Sequence, residues 1–178
     1  MAHDSCKDDA LYVQIKEAYG RVAYTQTAHV KEYLRLDKRH KWIKLAQIFI
    51  SAVSTGGFIG SVIINSDAAT WVGGISATIL LAINLYFKDF DMGASMSQHR
   101  KASDELWYIR EQYISLLTDY PDLDEIVRKE KRDNLQSKTN EVYQKAPKIG
   151  KKSYIETQRA LKNEEEQFFT SEELVFRS

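Results

Sequence analysis

Cysteine and proline are scarce in this chain of 178 residues. The single cysteine, Cys6, excludes an intrachain disulfide, cannot anchor a structural zinc site, and fits a reducing cytoplasm. The only two prolines, Pro121 and Pro147, lie in the last third of the sequence. Without a proline before Pro121, a helix that starts near the N-terminus is free to continue into the segment that follows it.

An excess of one charge sign is also missing. Lys plus Arg and Asp plus Glu number 25 each, so the formal net charge is zero at pH 7. A balanced chain gives no whole-chain argument for a nucleic-acid partner, because such partners are bound by strongly basic surfaces. The basic residues are instead concentrated beside two apolar runs.

Side chains that are charged at neutral pH are absent from residues 45–66 and again from residues 68–87, with Asp67 between the two runs. At about 1.5 Å rise per residue, each run makes a helix about 30 Å long, which matches the hydrocarbon core of a bilayer. Residues 65–67 are the only polar break between the runs, so the connection is a tight turn. We predict two antiparallel membrane-spanning helices over 45–65 and 68–87, with the turn at the far interface.

A buried helical hairpin in a soluble bundle is the competing interpretation of these runs. A soluble helix of this length carries charge on one face, and neither run does. Five of the eight glycines fall in the runs, and each costs a soluble helix about 1 kcal/mol relative to alanine. In lipid, small residues instead allow helices to approach closely. The pattern therefore favours membrane spans.

Basic residues flank both runs on the side of the chain ends. They are Lys31, Arg35, Lys38, Arg39, Lys41 and Lys44 before the first run, and Lys88, Arg100 and Lys101 after the second. The connecting turn contains neither Lys nor Arg, so the positive-inside rule places both termini in the cytoplasm. Because the first run begins only at Leu45, we do not expect a cleavable signal peptide.

Small residues form a ladder with a spacing of four in each run. The two ladders are Ala52, Gly56 and Gly60 in the first run, and Gly74, Thr78 and Ala82 in the second. Either the ladders face each other within one chain, or one of them faces a neighbouring subunit. We interpret both as helix-packing sites and expect a homo-oligomer in the bilayer.

Asn84 is interpreted as the one strongly polar side chain well inside a span. It either hydrogen-bonds another helix or lies near the headgroups, or it lines a pore, since intramembrane polar groups often line aqueous paths.

Long amphipathic helices are predicted on both sides of the hairpin, giving an all-α chain. Residues 1–44 form one helix with an apolar stripe, and residues 88–120 form another that Pro121 ends. Acidic residues disfavour the alternative of a surface-lying membrane helix for residues 1–44. The two apolar faces are expected to pack on each other and on other subunits through Leu11, Ile15, Val22, Leu106, Ile109, Tyr113, Leu116 and Leu117.

Residues 121–178 read as a charged helical tail. Its compact apolar group is Leu123, Ile126 and Val127, and Pro147 and Gly150 break it before a further polar helix at 151–169. A last turn of helix is predicted to start at residues 171–173. Because this tail buries little by itself, we expect it to pack on a subunit or partner, or to fray.

Enzyme signatures are missing from the sequence. The four histidines, His3, His29, His40 and His99, lack the spacing of metal ligands, and His99 lies beside two cations that disfavour its protonated form. No glycine loop of the kind that holds phosphates lies outside the apolar runs. We predict a non-enzyme without metal or cofactor.

Three segments together resemble a known family. They are residues 38–42 (KRHKW), which lead into the hairpin, residues 84–90 (NLYFKDF), which leave it, and residues 99–119 (HRKASDELWYIREQYISLLTD). With the short-looped hairpin between long helices, residues 10–120 resemble the SLATT proteins, the SMODS and SLOG-associating two-transmembrane effectors. The tail after Pro121 is not required by this resemblance.

The resemblance implies a bacterial inner-membrane effector of nucleotide second-messenger defence systems, which permeabilises the membrane of an infected cell. Its implied partners are a nucleotide second messenger, or a co-encoded nucleotide synthetase or sensor protein. No dedicated nucleotide pocket is visible in the sequence, so sensing would belong to a partner or an oligomer interface. An oligomeric pore or membrane-disrupting effector is our first hypothesis, and a non-conducting membrane anchor for a cytoplasmic partner is the alternative.

Overall fold

The computed structural model describes residues 2–64, 66–89 and 91–163, and every regular element in these ranges is helical. The helices are α1 (Ala2–Ile64), α2 (Asp67–Asp89), α3 (Met92–Asp119), α4 (Glu125–Lys145) and α5 (Lys151–Asn163), with a 3-10 turn at Tyr120–Asp122. The predicted turn of helix at residues 171–173 lies outside the described residues. The all-α fold is confirmed.

Helix α1 runs without a break from Ala2 to Ile64, as the absence of proline predicts. Polar side chains cap the starts of the next two helices. Ser66 caps α2 by accepting the Ala69 backbone N–H at its hydroxyl, and Asp91 caps α3 by accepting the Ala94 N–H at 2.8 Å. Pro121 lies in the 3-10 turn that follows α3.

The chain divides into two structural units. The first, called the bundle here, comprises the described parts of Met1–Tyr33 and Ser97–Ser178, and the second, called the hairpin unit, comprises Leu34–Met96. The division within α1 therefore falls before Leu45, where the sequence places the start of the first span.

The bundle packs α1, α3 and α4 around one apolar core. Tyr12 of α1 stacks edge-on against Tyr120, and His29 of α1 meets His99, so α1 and α3 run antiparallel. Arg132 of α4 donates to the Gln14 side chain at 2.8 Å and Tyr143 donates to Thr25 at 3.2 Å, so α1 and α4 run parallel.

The described part of the segment after Pro121, residues 122–163, belongs to the bundle of its own chain, which differs from the prediction of a tail that packs on a subunit or partner or frays. Leu135 and Val142 of α4 are buried in the bundle core. Ser153, Thr157 and Ala160 are buried on α5. Of the compact apolar group predicted in the tail, Leu123 packs against the core, whereas Ile126 is 79% exposed.

Candidate functional site

The two helices of the hairpin unit touch most closely at Gly57 and Gly73. A Cβ atom added to Gly57 would lie 2.8 Å from the Gly73 nitrogen and 2.9 Å from the Ala69 carbonyl oxygen. Real side chains do not tolerate such distances, so the two backbones are in direct contact. Ser54 adds a hydrogen bond across the helices, from its hydroxyl to the Gly73 carbonyl at 3.3 Å. Glycine is therefore required at Gly57 for the helices to pack as they do.

The two predicted ladders of small residues do not meet within the chain. Beside Gly56 and Gly74 there is open space, and only Gly60 faces the partner helix, toward the Ala69 side chain. The remaining ladder residues, Ala52, Thr78 and Ala82, are exposed. Of the two alternatives that the sequence left open, mutual packing of the ladders is thus replaced by the contact of Gly57 with Gly73, one residue away on each helix.

Asn84 hydrogen-bonds across the hairpin. The Gln47 side-chain amide of α1 donates to Asn84 Oδ1 of α2 at 2.9 Å. Asn84 is therefore not the one strongly polar side chain of the spans, because Gln47 lies in the first span and faces it. With the contacts of Gly57 with Gly73 and Gly60 with Ala69, this bond shows that the two helices are antiparallel.

We expect removal of this hydrogen bond to weaken the hairpin modestly. Replacing Gln47 or Asn84 with leucine should cost about 0.6 kcal/mol and at most about 1.7 kcal/mol, the range of interhelical hydrogen bonds in membranes. Unfolding in increasing detergent fractions, measured for both single variants and the double variant, checks this. Thr78→Val is the control, since its hydroxyl bonds to the Gly74 carbonyl of its own helix. Strictly additive single effects would contradict the bond.

The bundle gathers the predicted packing residues of its helices into one core. Leu11, Ile15, Val22, Leu106, Ile109, Tyr113 and Leu116 are buried there, and Leu117 packs against it while partly exposed. Burial raises the pKa of the Tyr113 phenol. These side chains pack on one another within a single chain. Their packing therefore requires no contact with other subunits.

A pair of histidines lies inside the bundle. His29 of α1 and His99 of α3 are only 2% and 3% exposed, and their Nδ1 atoms are 2.9 Å apart. Glu32, one turn beyond His29, is also buried, and it accepts the Gly150 backbone N–H at 3.3 Å. Burial, and to a smaller extent the His99 ring, lower the pKa of His29 to about 4, although Glu32 acts in the opposite direction.

The outer surface of the hairpin unit is apolar. Large side chains around both helices point outward, among them Phe49, Phe58, Val62, Trp71 and Leu85. Both α1 and α2 contain stretches long and apolar enough to cross a bilayer, and those stretches are almost entirely unburied. The hairpin is therefore not buried within its own chain, and an apolar surface of this size is typical of contact with lipid or with other subunits.

The family model described as SMODS and SLOG-associating 2TM effector domain family 4 matches residues 11–173. The chain belongs to this family. No curated protein and no solved structure matches the chain.

This SLATT protein therefore belongs to a family of membrane effectors in defence systems. The family is not a known enzyme family. The match corrects one expectation. It extends past Pro121 to residue 173, whereas the resemblance drawn from the sequence stopped at residue 120. The bundle helices α4 and α5 are thus part of the SLATT domain and not an appendage to it.

Besides the contact of Gly57 with Gly73, the sequence pattern does not predict two features of this SLATT protein. Gln47 had a visible signal, because it is an amide inside an apolar run, and its partner Asn84 was already singled out. The pair of His29 and His99 had none, since its members are separated by 70 positions and share no motif spacing. Among the described residues, no group of three or more His, Cys, Asp or Glu side chains is placed to hold a metal ion.

Proposed function

We propose that this SLATT protein is an oligomeric effector that permeabilises the inner membrane of a bacterial cell. The observation that carries the proposal is the pair of open small-residue positions on the hairpin, Gly56 and Gly74. Two helices in backbone contact enclose no lumen, so a path for water or ions needs several copies. Small residues that face outward allow helices of neighbouring copies to approach closely.

The orientation and the trigger belong to the same proposal. Basic residues before the first span favour cytoplasmic termini, which would put the bundle in the cytoplasm. A nucleotide second messenger, or a co-encoded protein that makes or senses one, is the proposed activator, in keeping with the description of the family as SMODS and SLOG-associating. Helix α1 contributes residues to both units, so one continuous helix connects the bundle to the first span.

A non-conducting anchor for a cytoplasmic partner is the second candidate, and the polar groups of the hairpin favour it. The Ser54, Thr55 and Thr78 hydroxyls all donate to backbone carbonyls. Gln47 and Asn84 bond to each other. Polar groups that already hydrogen-bond within the protein are less able to bind water in a pore than unbonded polar groups are.

Dye release from liposomes decides between the two candidates. The purified protein is reconstituted, and release is measured with and without a panel of cyclic nucleotides. Spontaneous release supports a pore that a partner restrains, and release only with nucleotide places the sensor in this chain. Confirmed insertion without release in every condition, including with the co-encoded partner, favours the anchor.

We expect the double variant Gly56→Leu/Gly74→Leu to slow release about tenfold or more, because tenfold corresponds to only about 1.4 kcal/mol of association free energy. A Cβ atom added to either glycine has no other atom within 4 Å in the single chain, so we expect the hairpin itself to stay intact. The matched control is Ile75→Leu, a change between large side chains at an exposed position of α2. If the double variant inserts equally well and releases dye as fast as the unaltered protein, Gly56 and Gly74 do not form contacts between copies in the active assembly.

A further inference from the structure

The contact between His29 and His99 is a junction of two helices that no part of the proposed function uses. The rings belong to α1 and α3, their centroids are 5.1 Å apart, and both are nearly inaccessible to solvent. An Nδ1–Nδ1 distance of 2.9 Å is that of a hydrogen bond. A change in the proton content of this buried polar pair therefore alters a contact between the two helices.

The number of protons on the pair determines whether the contact is attractive. In the neutral pair, one ring carries its hydrogen on Nδ1 and donates it, and the other carries its hydrogen on Nε2 and accepts at Nδ1. A first added proton leaves this bond in place but buries a positive charge. After a second proton, both Nδ1 atoms carry hydrogen, no acceptor remains, and two cations face each other at contact distance.

We propose that the His29–His99 contact is a proton-sensitive latch, which holds α1 and α3 together while both rings are neutral and releases them when the rings take up protons. The proposal is independent of whether the hairpin conducts.

The surroundings of the pair disfavour its charged form. On α1, the Glu32 carboxylate acts to stabilise a proton on His29, but it is shared with the Gly150 backbone N–H from the connection between α4 and α5. On α3, Arg100 and Lys101 follow His99 in the sequence, but their side chains are exposed and pair with Asp104 and Glu105. Burial outweighs Glu32, since the pKa of His29 is lowered from 6.5 to about 4.

The sign of the pH effect follows from this lowered pKa. A ring exposed by opening takes up a proton near pH 6.5, whereas the same ring in the closed bundle does so only near pH 4. The open state therefore binds more protons between these values, and the closed state loses stability as the pH falls through that window. For one proton, the opening equilibrium shifts about tenfold between pH 7.5 and pH 5.5.

Hydrogen exchange of the full-length protein in lipid nanodiscs tests the latch. After correction for the intrinsic pH dependence of exchange, protection of amides at residues 22–33 and 97–106 should fall about tenfold from pH 7.5 to pH 5.5. Amides near the other end of the α1–α3 pair, around Leu11 and Leu116, should change less. A uniform change along both helices, or no change, would overturn the proposal.

A variant pair assigns the effect to the rings. Asparagine places an amide near the position of Nδ1 and does not titrate, so His29→Asn/His99→Asn keeps a neutral hydrogen bond between the helices. We expect the local pH dependence to disappear in this variant and to persist in the control His40→Asn, which alters another histidine of α1. Persistence in the double variant would also overturn the latch. If that variant does not fold, the comparison of the two ends in the unaltered protein decides.

Discussion

Replacing Gly57 with alanine is expected to force the two membrane helices apart. The added Cβ would lie within 2.9 Å of backbone atoms of both Ala69 and Gly73, and backbone cannot rotate away as the end of a flexible side chain can. The helices must therefore separate or shift, and overpacking of this kind costs about 1–3 kcal/mol. We expect Gly57→Ala to be at the upper end, because the backbone contact and the Ser54 hydrogen bond to Gly73 are disturbed together.

The neighbouring glycine provides the control for this prediction. Gly56→Ala adds the same methyl group one position earlier, where nothing lies within 4 Å, so hairpin stability should stay within about 0.5 kcal/mol. Unfolding of both variants is measured in detergent, at a protein concentration low enough that copies do not associate. The measured difference then reports on the hairpin of one chain. Equal effects of the two substitutions would show that the helices pack through a different face.

The hairpin itself could be predicted from the sequence, but its packing face could not. Lipid and water select different residue types, so the surroundings of each segment can be inferred from its composition. The evidence here is the uncharged runs of bilayer length, the polar break at residues 65–67 and the basic flanks. The choice between Gly56 and Gly57, or between Gly73 and Gly74, depends on a rotation of about 100° per residue around the helix axis. Two adjacent glycines satisfy either rotation, so composition alone does not distinguish the faces.

The bundle shows a similar limit for its later helices. The apolar faces of α1 and α3 were visible because large residues such as Ile15 and Leu106 recur at helical spacing. The buried face of α5 consists of Ser153, Thr157 and Ala160, which are small and mostly polar. The recurrence of large apolar residues that shows the faces of α1 and α3 therefore does not mark this one.

Substitution of Leu135 by alanine is expected to destabilise the bundle by about 2–5 kcal/mol, the range for truncation of a large buried aliphatic side chain. Leu135 is 5% exposed and belongs to the core that α1 and α3 share. Its removal leaves a cavity next to the faces of two other helices, so the loss is larger than the transfer free energy of the missing methyl groups. The same change at Ile126 on α4 should stay within about 0.5 kcal/mol, because that side chain is 79% exposed.

The comparison of Leu135→Ala with Ile126→Ala tests whether α4 is an integral helix of the bundle or a tail. Denaturant unfolding of the full-length protein is followed by the fluorescence of Trp107 on α3, with Trp42 and Trp71 replaced by phenylalanine. A large loss at Leu135 alone means that α4 and α3 unfold together, because the reporter and the substitution lie on different helices. If α4 were a tail that packs only on a partner, both variants would leave the Trp107 transition unchanged. If its first turn carried the packing, Ile126→Ala would have the larger effect.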